Sequence, residues 1–285
     1  MPLPVYVCRN GDLIPAEEAR VSIFNPALYT AFGVYESIQC ENGVIFHLDD
    51  HLRRLAHSAE LLDLPLPASL EAIASWMPPL LQANHSPHCL IRLYVLGPNG
   101  YEPALAFAWP EMPRSFSRTL YEVGATAIIF HGARALPQAK SLNTLVNFLA
   151  RRQAQIAGAH EGLLAHGGHI YEGSSSNLFA VQDGCLLTPP EETILSGVTR
   201  EIVLRLAAEQ DIPVRSQLLP ESEISTWDEA FLTSTSRHVM PLVRIDGRPV
   251  GSGRVGPITR RLMEAFEAYY RAYLAAHTPV IREKF

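Results

Sequence analysis

The sequence predicts a mixed α/β protein of two domains, built from many hairpins and not from an alternating βαβ chain. Three observations carry that prediction. The chain has 285 residues, more than one core usually organises. Tight-turn dipeptides, Asn42-Gly43, Gly167-Gly168, Asp183-Gly184 and Asp246-Gly247, separate short apolar runs. Apolar stripes at helical spacing are confined to a few segments between those runs.

Taken in order, residues 5–8 form a short strand that ends at Asn10-Gly11. The apolar run 34–40 leads through Asn42-Gly43 into 44–48, a hairpin, because Asn-Gly accepts the positive φ angles of a two-residue turn. Residues 49–62 carry Leu52, Leu55, Ala59 and Leu62 on one stripe, with Asp49 and Asp50 placed to favour the helix N-terminus. A proline-rich connection and two strands, 90–96 and 104–109, follow. The polar, proline-bearing stretch after them marks a boundary, giving an N-terminal domain 1–113, a linker 114–121 and a C-terminal domain 122–285. The second domain opens with a strand at 125–130 and a helix at 142–158. Strand pairs then turn at Gly167-Gly168 and Asp183-Gly184, and a helix spans 198–210. Strands near Val214 and at 230–233 and a hairpin through Asp246-Gly247 precede the last helix, 257–274, with Ile258, Leu262, Phe266 and Tyr269 or Tyr270 on its buried stripe.

Composition narrows the function. A net charge of −6 gives no electrostatic reason to bind nucleic acid or an anionic membrane. Cys8, Cys40, Cys89 and Cys185 are scattered without a CxxC pair, which reads as reduced thiols in the cytoplasm. The chain start has no basic-then-apolar leader, and no stretch is apolar enough to span a bilayer, so export and membrane insertion are not expected.

Three spellings suggest chemistry that their context does not support. Gly251-Ser-Gly253-Arg-Val-Gly256 matches GxGxxG and opens a helix, yet it follows a hairpin, with no acidic residue suitably placed beyond it, and reads as a glycine-rich turn. The closest histidine pairs, His47/His51 and His166/His169, lie at a strand-to-helix junction and on a turn, so neither offers two imidazoles on one regular face, and no metal is expected. The serines of Gly173-Ser-Ser-Ser-Asn177 lack a nucleophile elbow and suit a turn or an anion-binding loop.

One constellation stands apart. Lysine is scarce, and Lys140 precedes a helical pattern in Lys140-Ser-Leu-Asn143. Downstream come Tyr171-Glu172-Gly-Ser-Ser-Ser-Asn177, Leu195-Ser-Gly-Val198-Thr199-Arg200 at a helix start, and Thr233-Ser-Thr235-Ser236 ending a strand. Free N–H groups of the helix starting at Val198, with the Thr199 hydroxyl, suit a phosphate dianion. Thr235 adds a hydroxyl and Arg54 a charge. A carboxylate such as Glu172 can hold a pyridine nitrogen protonated. Lys140 supplies an amine for an imine.

These four motifs, with the Gly33-Val-Tyr35-Glu36 strand and His51-Leu-Arg-Arg54-Leu helix, resemble the fold-type-IV (class IV) aminotransferases over nearly the whole chain. The resemblance implies two α/β domains with pyridoxal 5'-phosphate at their interface. It makes Lys140 the Schiff-base lysine and the acid and base of the proton shift, and pairs Glu172 with the ring nitrogen. Arg54, Val198, Thr199 and Thr235 would hold the phosphate and Leu195 the ring face, while Arg53 is left as a solvated residue. Tyr35, Arg92, Ser236 and Arg237 would form the substrate set.

The implied reaction moves an amino group from a branched-chain L-amino acid to a 2-oxo acid such as 2-oxoglutarate, in a cytoplasmic homodimer. The alternatives are a D-amino acid or (R)-amine transaminase, a 4-amino-4-deoxychorismate lyase and a non-catalytic relative. The loop 97–103 lacks the arginine and histidine that D-amino-acid aminotransferases place there, and Ser-Ser-Ser replaces the lyase's Cys-Cys-Ala-Ala. Arg237 and His238 depart from the family's usual small and acidic residues after the Thr235-Ser236 turn.

Overall fold

The computed structural model describes residues 4–98 and 103–281, so positions 99–102 of the loop just compared lie outside the described residues, as do 1–3 and 282–285. Backbone contacts group the chain into two compact units. Unit 1 comprises Met1–Arg114, Ala139–Asn143 and Arg271–Phe285, and unit 2 comprises Ser115–Gln138 and Thr144–Tyr270.

Unit 1 is a six-stranded antiparallel sheet in the order Asp12–Pro15, Tyr6–Arg9, Leu105–Glu111, Cys89–Leu96, Gly33–Glu41, Val44–Ile45. The Asn42-Gly43 turn has positive φ at both residues, as its sequence predicts. Helix Leu48–Glu60 buries Leu52, Leu55 and Ala59 in the same cluster as Val34, Ile38, Ile91 and Leu93 of the sheet. The proline-rich connection holds two further helices, Leu70–Ser75 and Met77–Ala83. Ser69 caps the first by accepting from the Ala72 N–H at 3.2 Å, and prolines occupy the first turn of the second, where a missing N–H loses no helical bond. Stripes this short fall below what periodicity can resolve.

Unit 2 carries a ten-stranded mixed sheet. Its pairings close a ring that runs through Ser176–Gln182, Glu229–Ser234, His238–Ile245, Ala125–His131, Glu161–His166 and His169–Gly173 and returns to Ser176–Gln182. Ala125–His131 lies parallel to both of its neighbours, and helix Leu145–Ile156 crosses from it to Glu161–His166; helix Val198–Glu209 likewise crosses from Cys185–Thr188 to the parallel Val214–Ser216, so two βαβ steps are built into a chain otherwise rich in hairpins. The stretch 114–121, read from sequence as a linker, contains the start of helix Arg118–Val123, capped by Ser117.

The glycines of the GxGxxG spelling have local reasons. Gly251 has φ +51, and a Cβ there would lie 2.0 Å from the Asp228 carbonyl. The following helix, Pro257–Ala276, already has a carboxylate at its N-terminus: Glu229 accepts from the Ile258 and Thr259 N–H groups at 3.0 and 2.7 Å.

Candidate active site

In unit 1 the strand Gly33–Glu41 sorts its residues by alternation. Val34, Glu36, Ile38 and Cys40 are buried, while Tyr35, Ser37 and Gln39 take the other, half-buried face. A carboxylate on the apolar face requires a cation, and helix Leu48–Glu60 supplies it. Arg54 donates from Nε and from a terminal nitrogen to the two Glu36 oxygens, each at 2.7 Å, and the His51 Nδ1 lies 2.8 Å from Glu36 Oε2. Burial acts to raise the Glu36 pKa, but the Arg54 guanidinium and the His51 ring outweigh it and hold the carboxyl well below the usual range. Burial likewise pushes the His51 ring below its ordinary value, against the pull of Glu36.

Lys140 is held by its backbone. Its carbonyl accepts the Tyr35 N–H at 3.0 Å, its own N–H donates to the buried Ser58 hydroxyl at 3.0 Å, and the Leu142 N–H reaches Gly33 at 2.9 Å. The Lys140 Nζ then sits 4.6 Å from the centroid of the Tyr35 ring. The sequence has one other lysine, Lys284, which lies outside the described residues.

On the Tyr35 face, strand register aligns Tyr35 with Tyr94 and Ser37 with Arg92, and Arg92 with Trp109. Tyr35, Tyr94 and Trp109 stack in series at 5.3 and 5.0 Å. Arg92 donates to the Ser37 and Tyr94 hydroxyls at 2.6 and 2.8 Å, and its guanidinium lies 5.9 Å from the Tyr35 ring. Unit 1 therefore brings Lys140, Tyr35 and Arg92 around one aromatic surface, with Arg54 held by Glu36.

In unit 2, antiparallel pairing brings the end of strand His169–Gly173, the start of Ser176–Gln182 and the end of Glu229–Ser234 to one end of the ring. Glu172 Oε1 takes a bond from Arg134 at 3.0 Å and Oε2 takes the Leu195 N–H at 3.2 Å. Asn177 donates to the Leu195 carbonyl at 2.8 Å, joining the Ser-Ser-Ser motif to the helix entrance. Gly197 is the N-cap of helix Val198–Glu209 and makes no side-chain cap bond, so Val198 and Thr199 open the helix beneath a residue without a side chain. A Cβ at Gly197 would lie 2.0 Å from Asn177 Oδ1. Thr235 and Ser236 are half-buried in the turn between Glu229–Ser234 and His238–Ile245. Arg237 is buried and donates to Glu161 at 2.6 Å.

Unit 2 thus unites Glu172 with Leu195 and sets Val198, Thr199, Thr235 and Ser236 on adjoining segments. Sequence reasoning assigned no site role to Glu36, His51, Ser58, Arg134 or Glu161. For Glu36 a signal existed: a carboxylate in the core-facing register of an apolar strand, followed by His51 and Arg54 at helical i, i+3 spacing. Arg134 and Glu161 carry no comparable pattern. Among the described residues, no group of three or more His, Cys, Asp or Glu side chains could hold a metal ion.

Comparison with known proteins adds a separate line of observation. A family model described as amino-transferase class IV matches residues 33–245. The chain is 33% identical to a D-alanine aminotransferase of Staphylococcus haemolyticus over 272 residues, covering 91% of this chain and 96% of the relative. It is 32% identical to a branched-chain-amino-acid aminotransferase of Escherichia coli K12 over 282 residues, covering 92% and 91% respectively. Among solved structures, a branched-chain amino acid aminotransferase from Thermobaculum terrenum in its PLP-form matches with a TM-score of 0.86 at 27% identity, covering 99% of this chain and 100% of that one.

Proposed function

The chain belongs to the class IV aminotransferases, and from that premise we propose that it uses pyridoxal 5'-phosphate to move an amino group from a branched-chain L-amino acid to a 2-oxo acid such as 2-oxoglutarate. The observation that carries the reading is Lys140: a lone lysine among the described residues, pinned through its backbone to Tyr35 and Ser58, with its amine over the Tyr35 ring.

The residues fit the cofactor. Lys140 has the primary amine to join its carbonyl, and Glu172 has the carboxylate to pair with a ring nitrogen. Val198 and Thr199 open a twelve-residue helix whose cap brings no side-chain acceptor, which suits a phosphate dianion; Thr235 has a hydroxyl, and Arg54 a charge, that such a group would take. Leu195, half-buried, would pack on the ring face. When bound, pyridoxal phosphate supplies a carbonyl for the substrate amine and a ring that withdraws electrons from the α-carbon.

Lys140 does the proton work. Its Nζ would be the base that takes the proton from the substrate α-carbon and the acid that gives it back within the same site. Because the oxo product leaves before the second oxo acid enters, the kinetics are ping-pong. Tyr35 and Arg92, neighbours in unit 1, would face the substrate side chain, and backbone N–H groups at the Ser236 turn would suit its α-carboxylate. The sequence also put Arg237 in this set; with its guanidinium bonded to Glu161, it enters the function differently, as argued below.

A D-amino acid donor is the second reading, favoured by the 33% identity to a D-alanine aminotransferase. No helix among the described residues is long and apolar enough to cross a membrane, and the buried free thiols Cys8, Cys40 and Cys89 agree with a cytoplasmic enzyme. A homodimer is supported by exposed Leu145, Phe148, Leu149 and Ile156, a stripe along helix Leu145–Ile156.

The test is absorbance of the cofactor-loaded protein before and after L-leucine or D-alanine. L-leucine should bleach the visible band and D-alanine should not, and Lys140→Ala should lack the band and lose at least about 10³-fold in transamination. A Lys140→Ala protein with an unchanged band sinks the reading.

A further inference from the structure

Two turns at one end of the unit 2 ring, residues 173–176 and 234–238, adjoin Glu172 and carry Thr235 and Ser236. One buried carboxylate ties them together. Glu161, 1% exposed, accepts at Oε1 from the Gly162 N–H at 3.0 Å, the Ser174 N–H at 3.2 Å and the Ser174 hydroxyl. At Oε2 it accepts from Ser176 at 3.1 Å, Ser175 at 3.4 Å and Arg237 at 2.6 Å.

Arg237 is held at both ends. The nitrogen that reaches Glu161 also donates to Ser175 at 3.1 Å, and the guanidinium lies 5.3 Å from the Phe116 ring centroid. Its backbone N–H returns to the Ser234 carbonyl at 3.2 Å and its carbonyl accepts from the Tyr121 hydroxyl at 2.9 Å. A side chain so engaged, 6% exposed, already has a carboxylate partner and would leave Glu161 buried without its cation if it swung to a substrate. The proximity of Glu161 also explains Gly173, where a Cβ would lie 2.2 Å from the Ser176 hydroxyl and 3.1 Å from the Glu161 carboxyl carbon.

We infer that Arg237 is a positioning residue: with Glu161 it forms an internal strut that sets the Thr235-Ser236 turn against the Glu172–Asn177 segment, so that α-carboxylate binding depends on the pair and not on a direct bond from Arg237. The inference rests on the function proposed above. Buried ion pairs contribute little net stability against apolar replacements, and orienting two turns is a use that does not require such a gain. The planar fork of arginine lets one side chain meet a carboxylate and a hydroxyl in fixed directions, which lysine cannot copy fully.

The test compares Glu161→Gln, Arg237→Gln, their double variant and Arg237→Lys in the cofactor-loaded protein. KM for L-leucine and amide hydrogen exchange in both turns are measured. Either single substitution to glutamine should raise KM about tenfold with kcat changed less, and the double should be no worse than the singles, because both remove one strut. Exchange should quicken in both turns, including the one without the substitution, and Arg237→Lys should recover part of both effects. A Glu161→Gln protein with wild-type KM beside a crippled Arg237→Gln overturns the inference and makes Arg237 a direct ligand; additive losses, or exchange changes confined to the substituted turn, also overturn it. Should Arg237→Gln fail to fold, Glu161→Gln and Arg237→Lys decide by the same exchange readout. If the wild-type protein neither binds the cofactor nor transaminates, the proposed function fails, while the exchange data still judge the strut.

Discussion

Glu36→Gln is the perturbation that the geometry of unit 1 predicts most sharply. Glu36 is fully buried and accepts charge-assisted bonds from Arg54 at 2.7 and 2.7 Å, with the His51 ring at 2.8 Å. Glutamine keeps one acceptor oxygen and puts an NH₂ group where a second acceptor was needed. The Arg54 guanidinium, 10% exposed, would then keep its charge without its counter-charge. Removing one partner of a buried pair costs about 3–5 kcal/mol, and the acceptor that glutamine retains puts the expected loss near the lower end, about 3 kcal/mol. That is a large part of the ~5–15 kcal/mol of a typical domain.

Because the chain has two compact units, the loss should be read in unit 1 itself, by native-state hydrogen exchange of strand Gly33–Glu41 amides under mild urea. In a cycle with Arg54→Met, the double variant should lose at least about 1.5 kcal/mol less than the sum of the singles. The pH dependence has a definite sign. A depressed carboxyl contributes stability that is fully present above its unfolded pKa of about 4.3 and disappears as pH falls through the lower folded value. The gap between wild type and Glu36→Gln should therefore narrow in acid. A loss under about 1 kcal/mol at neutral pH, or strict additivity with Arg54→Met, would refute the reasoning.

Three further outcomes are expected. Gly197→Ala drives a methyl to within 2.0 Å of Asn177 Oδ1, so it should cost about 1–3 kcal/mol and weaken cofactor affinity, read by titrating the cofactor-free protein. Burial pushes the His238 ring down to about 4, with Glu267 opposing; between about pH 6.5 and 4 the unfolded chain takes a proton that the fold refuses, so stability should fall with pH by up to about 1.4 kcal/mol per unit. His238→Asn, which tolerates the local φ of 54°, should flatten that slope in pH-resolved urea melts. Phe148→Glu places a charge on the exposed stripe of helix Leu145–Ile156 and should shift the protein to a smaller species in light scattering, while thermal stability of the isolated chain changes little.

What the sequence by itself determined is whatever local chemistry enforces. Asn42-Gly43, Asp183-Gly184 and Asp246-Gly247 turn where they are written, because both residues of each adopt positive φ. Helices Leu48–Glu60, Val198–Glu209 and Pro257–Ala276 follow stripes long enough to read. The order Lys140, Glu172, Thr199, Thr235 stands out in the sequence because each residue type offers a different part of the chemistry that the proposed cofactor needs. Only the tertiary structure decided the ring closure between Ser176–Gln182 and His169–Gly173 and the parallel seat of Ala125–His131, since pairing across a sheet leaves no mark on a single strand. It alone decided which charges meet. Glu36 with Arg54, Arg134 with Glu172, and Glu161 with Arg237 lie 18, 38 and 76 residues apart along the chain. A buried charge must find a partner, but the sequence states only the need; the strand register and the helix that covers it choose the partner.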